Sequence, residues 1–157
     1  MRFLALAILL LSVMLFAKPE VRFLPIGDEI FQLEVARTPA ELEKGLMRRT
    51  TLPEDAGMLF LLTQKRVARF WMRETLIPLD ILFLDEEGRI TAIHTMKVEP
   101  PRREDQSEED YLAGLPLYSS RKPVVAAIEL NAGVVQWLGL KVGDKLSWKP
   151  FKAVSNE

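Results

Sequence analysis

The sequence predicts a mainly β (α+β) fold: a compact sandwich- or barrel-like sheet with two short helices, preceded by an N-terminal signal helix. Three observations lead to this prediction. Side chains alternate between polar and apolar along extended segments, other apolar runs have the length of buried strands, and we identify helix-start signals at two places after the leader. A chain of 157 residues with 48% hydrophobic content can bury one core, so we predict a single globular domain over residues 18–157.

The first two strands are predicted to form a β-hairpin. Segments 20–26 and 29–36 alternate with period two on either side of a Gly27-Asp28 turn. Pro25 has no N–H to donate to a neighbouring strand, so the first of these strands is predicted to lie at an edge of the sheet.

Two short helices are predicted from their end signals. Thr38-Pro39-Ala40-Glu41 combines an N-cap, a proline in the first turn and the glutamate of a capping box, and the helix is expected to run to about Met47. Asn131 is predicted to cap a second helix that continues to Leu138 and ends at Gly139.

The middle of the chain is predicted to form four strands. Their segments are 58–62, 67–72, 79–84 and 89–96, with turns at 63–66 and 85–88. Residues 98–122 change in character, because 104–110 contain no apolar residue, and we predict a mobile acidic surface loop there. A strand at 124–130 and a last strand at 145–148 complete the sheet.

The N-terminus has the layout of a secretory signal peptide. Arg2 precedes an uncharged apolar run that ends at Ala17. As a helix, residues 3–17 would cover about 22 Å, less than the roughly 30 Å of a bilayer core, so cleavage after Ala17 is predicted over a permanent span. We therefore expect a periplasmic or extracellular protein, with an uncleaved form anchored through residues 3–17 as the alternative.

Composition excludes several classes of chemistry. The formal charge of −1 provides no field that would gather nucleic acid, so no nucleic-acid partner is expected. The chain has no cysteine and one histidine, His94, which excludes a thiol nucleophile, disulfides and a multi-histidine zinc site. No phosphate-binding loop is present, and Lys65, Arg66, Arg69 and Arg73 are interpreted as a solvated strand face. We expect no metal and no cofactor.

Several short blocks of uncommon residues follow one another along the chain: Gly45-Leu46-Met47-Arg48, Gly57-Met58-Leu59-Phe60, Trp71-Met72, Pro78-Leu79-Asp80 and Asn131-Ala132-Gly133. In order and spacing they resemble the DUF192 family, also called UPF0127, over about residues 29–149. The resemblance implies a small, mainly β domain that is commonly exported or membrane-anchored in bacteria. It implies no particular activity, because the family has no assigned biochemical function.

The candidate site is centred on the segment from Trp71 to Asp80, which lies between two predicted strands. Strand alternation places Asp80 on the same face as Leu82 and Leu84, and an acid among leucines must be paired or have a raised pKa. Glu129 is a second acid on an apolar strand. The residues predicted to bind a ligand are Met47, Arg48, Phe60, Trp71, Met72, Thr75, Asp80 and Glu129.

Two functions are consistent with these residues. The first is a non-catalytic module of the cell envelope that binds a polypeptide, a glycan or a lipid-like ligand in a groove beside the Trp71 to Asp80 segment, with an envelope component as its partner. The second is a small hydrolytic or metal-assisted enzyme in which the carboxylates of Asp80 and Glu129 converge. Purely structural roles are the alternative for both acids: Asp80 bonded to backbone amides of the Pro78 turn, and Glu129 in a buried ion pair, with Arg48 or Arg73 as its expected partner.

Overall fold

A computed structural model of the chain describes residues 18–147. The predicted signal peptide and Trp148, the end of the predicted last strand, lie outside these residues. The fold is mainly β and of the α+β type, as predicted, with one six-stranded sheet in the strand order β1-β2-β3-β6-β4-β5 and three short helices instead of the two predicted. The strands are β1 (Val21–Ile26), β2 (Glu29–Ala36), β3 (Ala56–Phe70), β4 (Leu79–Leu84), β5 (Ile90–Met96) and β6 (Tyr118–Asn131), and the helices are α1 (Pro39–Lys44), α2 (Glu108–Gly114) and α3 (Val134–Trp137). No helix within residues 18–147 is both long and apolar enough to cross a membrane.

The N-terminal hairpin and the start of the first helix are confirmed, but α1 ends at Lys44 and not at about Met47, because Gly45 forms its C-cap. β1 and β2 pair as an antiparallel hairpin, with Pro25 opposite Ile30, and β1 is an edge strand of the sheet. α1 begins with the full capping box: Glu41 N–H donates to the Thr38 hydroxyl, and the Glu41 carboxylate accepts from the Thr38 N–H. α1 belongs to the connection that lets β2 pair in parallel with β3.

β3 corrects the prediction of two strands separated by a turn at 63–66. It is a single strand of 15 residues that pairs with β6 along a long antiparallel ribbon. Register shifts between Leu61 and Arg66 absorb the polar residues as a bulge, which bends the ribbon without ending it. The bend brings the rings of Phe60 and Phe70, ten positions apart on one strand, to a centroid separation of 4.9 Å. The distal half of the ribbon therefore folds back over one face of the sheet.

The prediction of a loop throughout 98–122 is wrong in its second half. Ser107 caps α2 by accepting from the Asp110 N–H, and the acidic first turn of α2 complements the helix dipole. Tyr111 and Leu115 are buried, so the segment is anchored by apolar contacts that its many charges obscured. β6 then begins at Tyr118.

The C-terminal predictions need two corrections. α3 starts after Gly133, and Asn131 does not cap it; the Asn131 amide instead donates to the carbonyl oxygens of Leu52 and Pro53. Lys145 forms only an isolated bridge with Arg89, so no strand is present over 145–147.

The sheet has an apolar core on each face. One core includes Leu82, Leu84 and Leu130, and α3 contributes Val135 to it. The other core includes Ile81, Phe83 and Ala127, with Ala68 from the folded-back part of the ribbon. This division decides which polar side chains can meet.

Candidate functional site

Asp80 is buried and fully hydrogen-bonded. Its Oδ2 accepts from the backbone N–H groups of Gly133 at 2.8 Å and Val135 at 3.0 Å, and its Oδ1 accepts from the Thr95 hydroxyl at 2.7 Å. α3 has no cap from its own N-cap side chain, so a carboxylate from β4 supplies the acceptor that the first turn needs. Asp80 thus joins three elements, β4, β5 and α3, and the amides it binds belong to α3 and not to the Pro78 turn.

Glu129 lies on the opposite face of the sheet from Asp80. In the antiparallel pair of β4 and β6, Asp80 is opposite Leu130 and Ile81 is opposite Glu129. Directly opposed residues share a face, and Leu130 and Ile81 belong to different cores. The predicted convergence of Asp80 and Glu129 is therefore wrong, although the predicted grouping of Asp80 with Leu82 and Leu84 is confirmed.

Glu129 is 5% exposed, and its carboxyl group forms no hydrogen bond or ion pair with any residue of 18–147. The arginines expected as partners are engaged elsewhere: Arg48 binds Glu74 at 2.6 Å and Arg73 binds Glu108 at 2.6 Å. Burial alone raises the pKa of the Glu129 carboxyl to about 8. At neutral pH the group is mainly a protonated acid that can donate one hydrogen bond and accept others.

Glu129 lines a cavity of about 100 Å³ between α1, the following loop and the folded-back part of β3. This space corresponds to about three water molecules at roughly 30 Å³ each. Phe60, Phe70 and Trp71 give it aromatic walls, and Gly45 and Met47 close it on the α1 side. The full set of lining residues is Leu42, Glu43, Lys44, Gly45, Leu46, Met47, Phe60, Leu62, Arg66, Ala68, Arg69, Phe70, Trp71, Thr75 and Glu129.

The eight predicted ligand-binding residues separate into three groups. Five line the cavity: Met47, Phe60, Trp71, Thr75 and Glu129. Arg48 does not line the cavity but lines a neighbouring groove together with Arg73 and Glu74. Met72 is 1% exposed within the core beside the cavity, and Asp80 lies across the sheet.

Two strained residues join the loops beside the cavity. Arg48 has φ 62° and Glu74 has φ 49°, a left-handed conformation that side chains other than glycine rarely adopt. Arg48 N–H donates to the Glu74 carbonyl at 2.8 Å, and their side chains form the 2.6 Å ion pair. Each such residue stores about 1 to 2 kcal/mol of backbone strain, and strain of this kind clusters at functional sites.

Sequence reasoning missed the basic rim of the cavity. Arg66 and Arg69 were interpreted as part of a solvated strand face, yet both line the cavity because the ribbon folds back. The sequence places Phe70 on a different strand from Phe60, although their rings are in contact. The spacing of Phe60 and Phe70 on either side of a polar run was the available signal, but it predicts a turn as readily as a bulge.

Among residues 18–147 no three acidic or histidine side chains converge in a way that could hold a metal ion. The sheet and its small, aromatic-walled cavity define an α+β domain in which one buried acid, Glu129, lines the cavity. The chain matches the model of the DUF192 family, "Uncharacterized ACR, COG1430", over residues 23–148, and it belongs to that family.

Two solved structures are similar to the chain. One, from Sinorhizobium meliloti 1021, is provisionally assigned as a transcription regulator; it is 35% identical, with a TM-score of 0.62, 80% of this chain covered and 89% of the other. The second is a protein of unknown function from Novosphingobium aromaticivorans DSM 12444, 33% identical, with a TM-score of 0.65, 85% of this chain covered and 94% of the other. A comparison with curated proteins found no match.

Proposed function

We propose that the protein is an exported, non-catalytic binding module of the cell envelope whose ligand occupies the cavity over Glu129. The observation that carries this proposal is the buried Glu129 carboxyl, which has no partner within residues 18–147. A buried polar group without a hydrogen bond costs about 1 to 3 kcal/mol. A ligand that hydrogen-bonds to Glu129 would remove this cost. If position 129 served the fold alone, an apolar residue there would avoid the cost altogether.

The position of the acids favours binding over catalysis. Acid and base catalysis by two carboxylates requires both to reach the same reacting group. Asp80 has its oxygens bonded to Gly133, Val135 and Thr95, and it lies across the sheet from Glu129. Of these two carboxylates, only that of Glu129 lines the cavity.

The strained pair beside the cavity also supports a binding role. Arg48 and Glu74 are held in left-handed conformations by a backbone bond and an ion pair to each other. Their loops carry Met47 and Thr75, both of which line the cavity. The strain is consistent with loops preorganised for a ligand.

Export is proposed from the leader. Cleavage after Ala17 would make Lys18 the first residue of the mature protein. Cell fractionation and N-terminal mass spectrometry test this directly. An unprocessed, freely dissolved chain in the cytosol would contradict it.

Binding is tested with three probes of similar size and different charge: butyrate, butylamine and butanol. Each is titrated at millimolar concentration into the purified full chain, and amide resonances are followed by NMR. We expect at least one probe to shift resonances around Gly45, Phe60, Trp71 and Glu129. A result in which none of the three binds at the cavity would overturn the proposed function.

A matched pair of variants locates the binding. Met47 is half-buried on the α1 side of the cavity, so Met47→Trp should block the space and Met47→Leu should preserve it. Binding is expected in the Met47→Leu variant and absent in Met47→Trp. Equal binding in both variants would place the ligand elsewhere and refute the assignment of the cavity.

A further inference from the structure

The rim of the cavity is basic. Arg66 and Arg69 are exposed residues of β3 that line the space, and neither guanidinium group forms a hydrogen bond or ion pair with another residue of 18–147. Lys44 joins them from the last turn of α1. Glu43 is the one acid on the rim among these residues, and it is 3.9 Å from Arg73.

The floor of the cavity complements this rim. Glu129 carries a proton at neutral pH because burial raises its pKa to about 8, so it can donate a hydrogen bond to an anion without repelling it. Unpaired guanidinium groups bind planar carboxylates through parallel N–H bonds. The walls between floor and rim are aromatic, and they suit an apolar body attached to a charged head.

We propose that the cavity binds a small organic acid. The carboxylate of the ligand contacts Arg66 and Arg69 at the mouth of the cavity and the Glu129 hydroxyl at the floor of the cavity. The apolar part of the ligand packs against Phe70 and Trp71. This inference rests on the proposed function, because it names the ligand class for the same cavity. The space of about 100 Å³ accommodates a carboxyl group and a few carbon atoms. An ammonium ligand would have to pass three cations, and a neutral alcohol would leave both arginines without partners.

Other charged groups on this face are already engaged or lie farther from the cavity. Glu34 of β2 is opposite Met58, which in turn is opposite Glu129, so Glu34 lies on the same face of the sheet as Glu129. Both carboxylate oxygens of Glu34 accept from Arg49 at 2.6 Å. On β5, His94 is opposite Ile81 and its Nε2 is 2.8 Å from the Ser119 carbonyl oxygen. The charged residues that line the cavity together with Glu129 are Glu43, Lys44, Arg66 and Arg69.

The three-probe titration distinguishes this inference from the proposed function. We expect butyrate to bind at least about tenfold more tightly than butylamine or butanol, since only the anion pairs with the arginines. If butylamine or butanol binds at the cavity as tightly as butyrate, the carboxylate inference fails while the binding function stands. If no probe binds, the binding function itself fails.

Variants and pH give an independent test. The double variant Arg66→Gln, Arg69→Gln should weaken butyrate binding about tenfold, which removes its advantage, and leave butanol unchanged. Arg89→Gln, at an exposed arginine that does not line the cavity, is the matched control. Wild-type affinity should fall by up to about tenfold per pH unit above pH 8, as Glu129 loses its proton.

Glu129→Gln distinguishes the effect of the Glu129 proton on binding from a structural effect of the side chain. The amide retains a donor without an ionisable group, so this variant should still bind butyrate but lose the decline above pH 8. A steep decline that persists in Glu129→Gln, or arginine variants that bind butyrate as well as the wild type, would overturn the assignment.

Discussion

Replacing Asp80 by alanine provides the sharpest test of how the sheet and α3 are held together. The substitution removes the acceptor for two backbone N–H groups of the α3 start and for the Thr95 hydroxyl. The Val135 N–H is buried, so its loss of a partner costs about 1 to 3 kcal/mol. Gly133 and Thr95 are exposed, and water can replace their bonds at a smaller cost, about 1 kcal/mol together with the lost cap. The expected total is about 3 kcal/mol.

Asp85→Ala is the matched control. Asp85 also accepts from two backbone N–H groups, those of Glu87 at 3.0 Å and Arg89 at 2.8 Å, but in an exposed turn. Its loss should cost only about 1 kcal/mol, because water reaches the freed groups. The free energy of unfolding is measured by urea denaturation, with an unchanged slope as the check that the native state is retained. A difference below about 1 kcal/mol between the two variants would refute the role of burial in the Asp80 cap.

Three further perturbations test other features. Folding raises the pKa of Glu129 from 4.5 to about 8, so its contribution to stability is complete below pH 4.5 and is lost as the pH rises to about 8. The free energy of unfolding should therefore fall by up to about 1.4 kcal/mol per pH unit in this range. Glu129→Gln should flatten this pH dependence in urea denaturation, and an unchanged dependence would contradict the assignment. A Cβ at Gly57 would lie 2.4 Å from the Glu129 carbonyl oxygen, so Gly57→Ala should cost several kcal/mol, whereas Gly114→Ala, with nothing within 4 Å, should not lower the melting temperature. Ser120→Ala leaves the buried Ala68 N–H without its 2.9 Å acceptor and should cost about 2 kcal/mol in the same denaturation assay; a loss under 0.5 kcal/mol would mean that another group replaces the hydroxyl.

The elements that sequence predicted well are those determined by local signals. The capping box at Thr38, the edge position forced by Pro25 and the fully buried β4 follow from neighbouring residues alone. The strand order does not follow from neighbouring residues, because β6 lies between β3 and β4, and both of these partners are far from β6 along the chain. α2 was missed because three acids in its first turn hid the apolar contacts of Tyr111 and Leu115.

The part of the candidate site that depends on local sequence signals was predictable, and the part that depends on strand pairing was not. Burial of Asp80 and Glu129 could be inferred from the apolar residues around each acid, and five of the eight predicted ligand-binding residues line the cavity. Whether the two acids meet depends on the register between β4 and β6, which local spacing does not determine. The arginines at the rim depend on a bulge that bends β3, and no short-range pattern distinguishes such a bulge from a turn.

The central place of β6 has a consequence for how the protein is made. During synthesis from the N-terminus, β3 and β4 leave the ribosome well before Tyr118–Asn131, so each has an inner edge with no neighbour to bond. Pairing across such long stretches of sequence is slow, and the sheet cannot close until almost every described residue has been translated. Both inner edges therefore stay unpaired for most of the synthesis of the chain, and the export proposed above would not have to unfold a closed sheet.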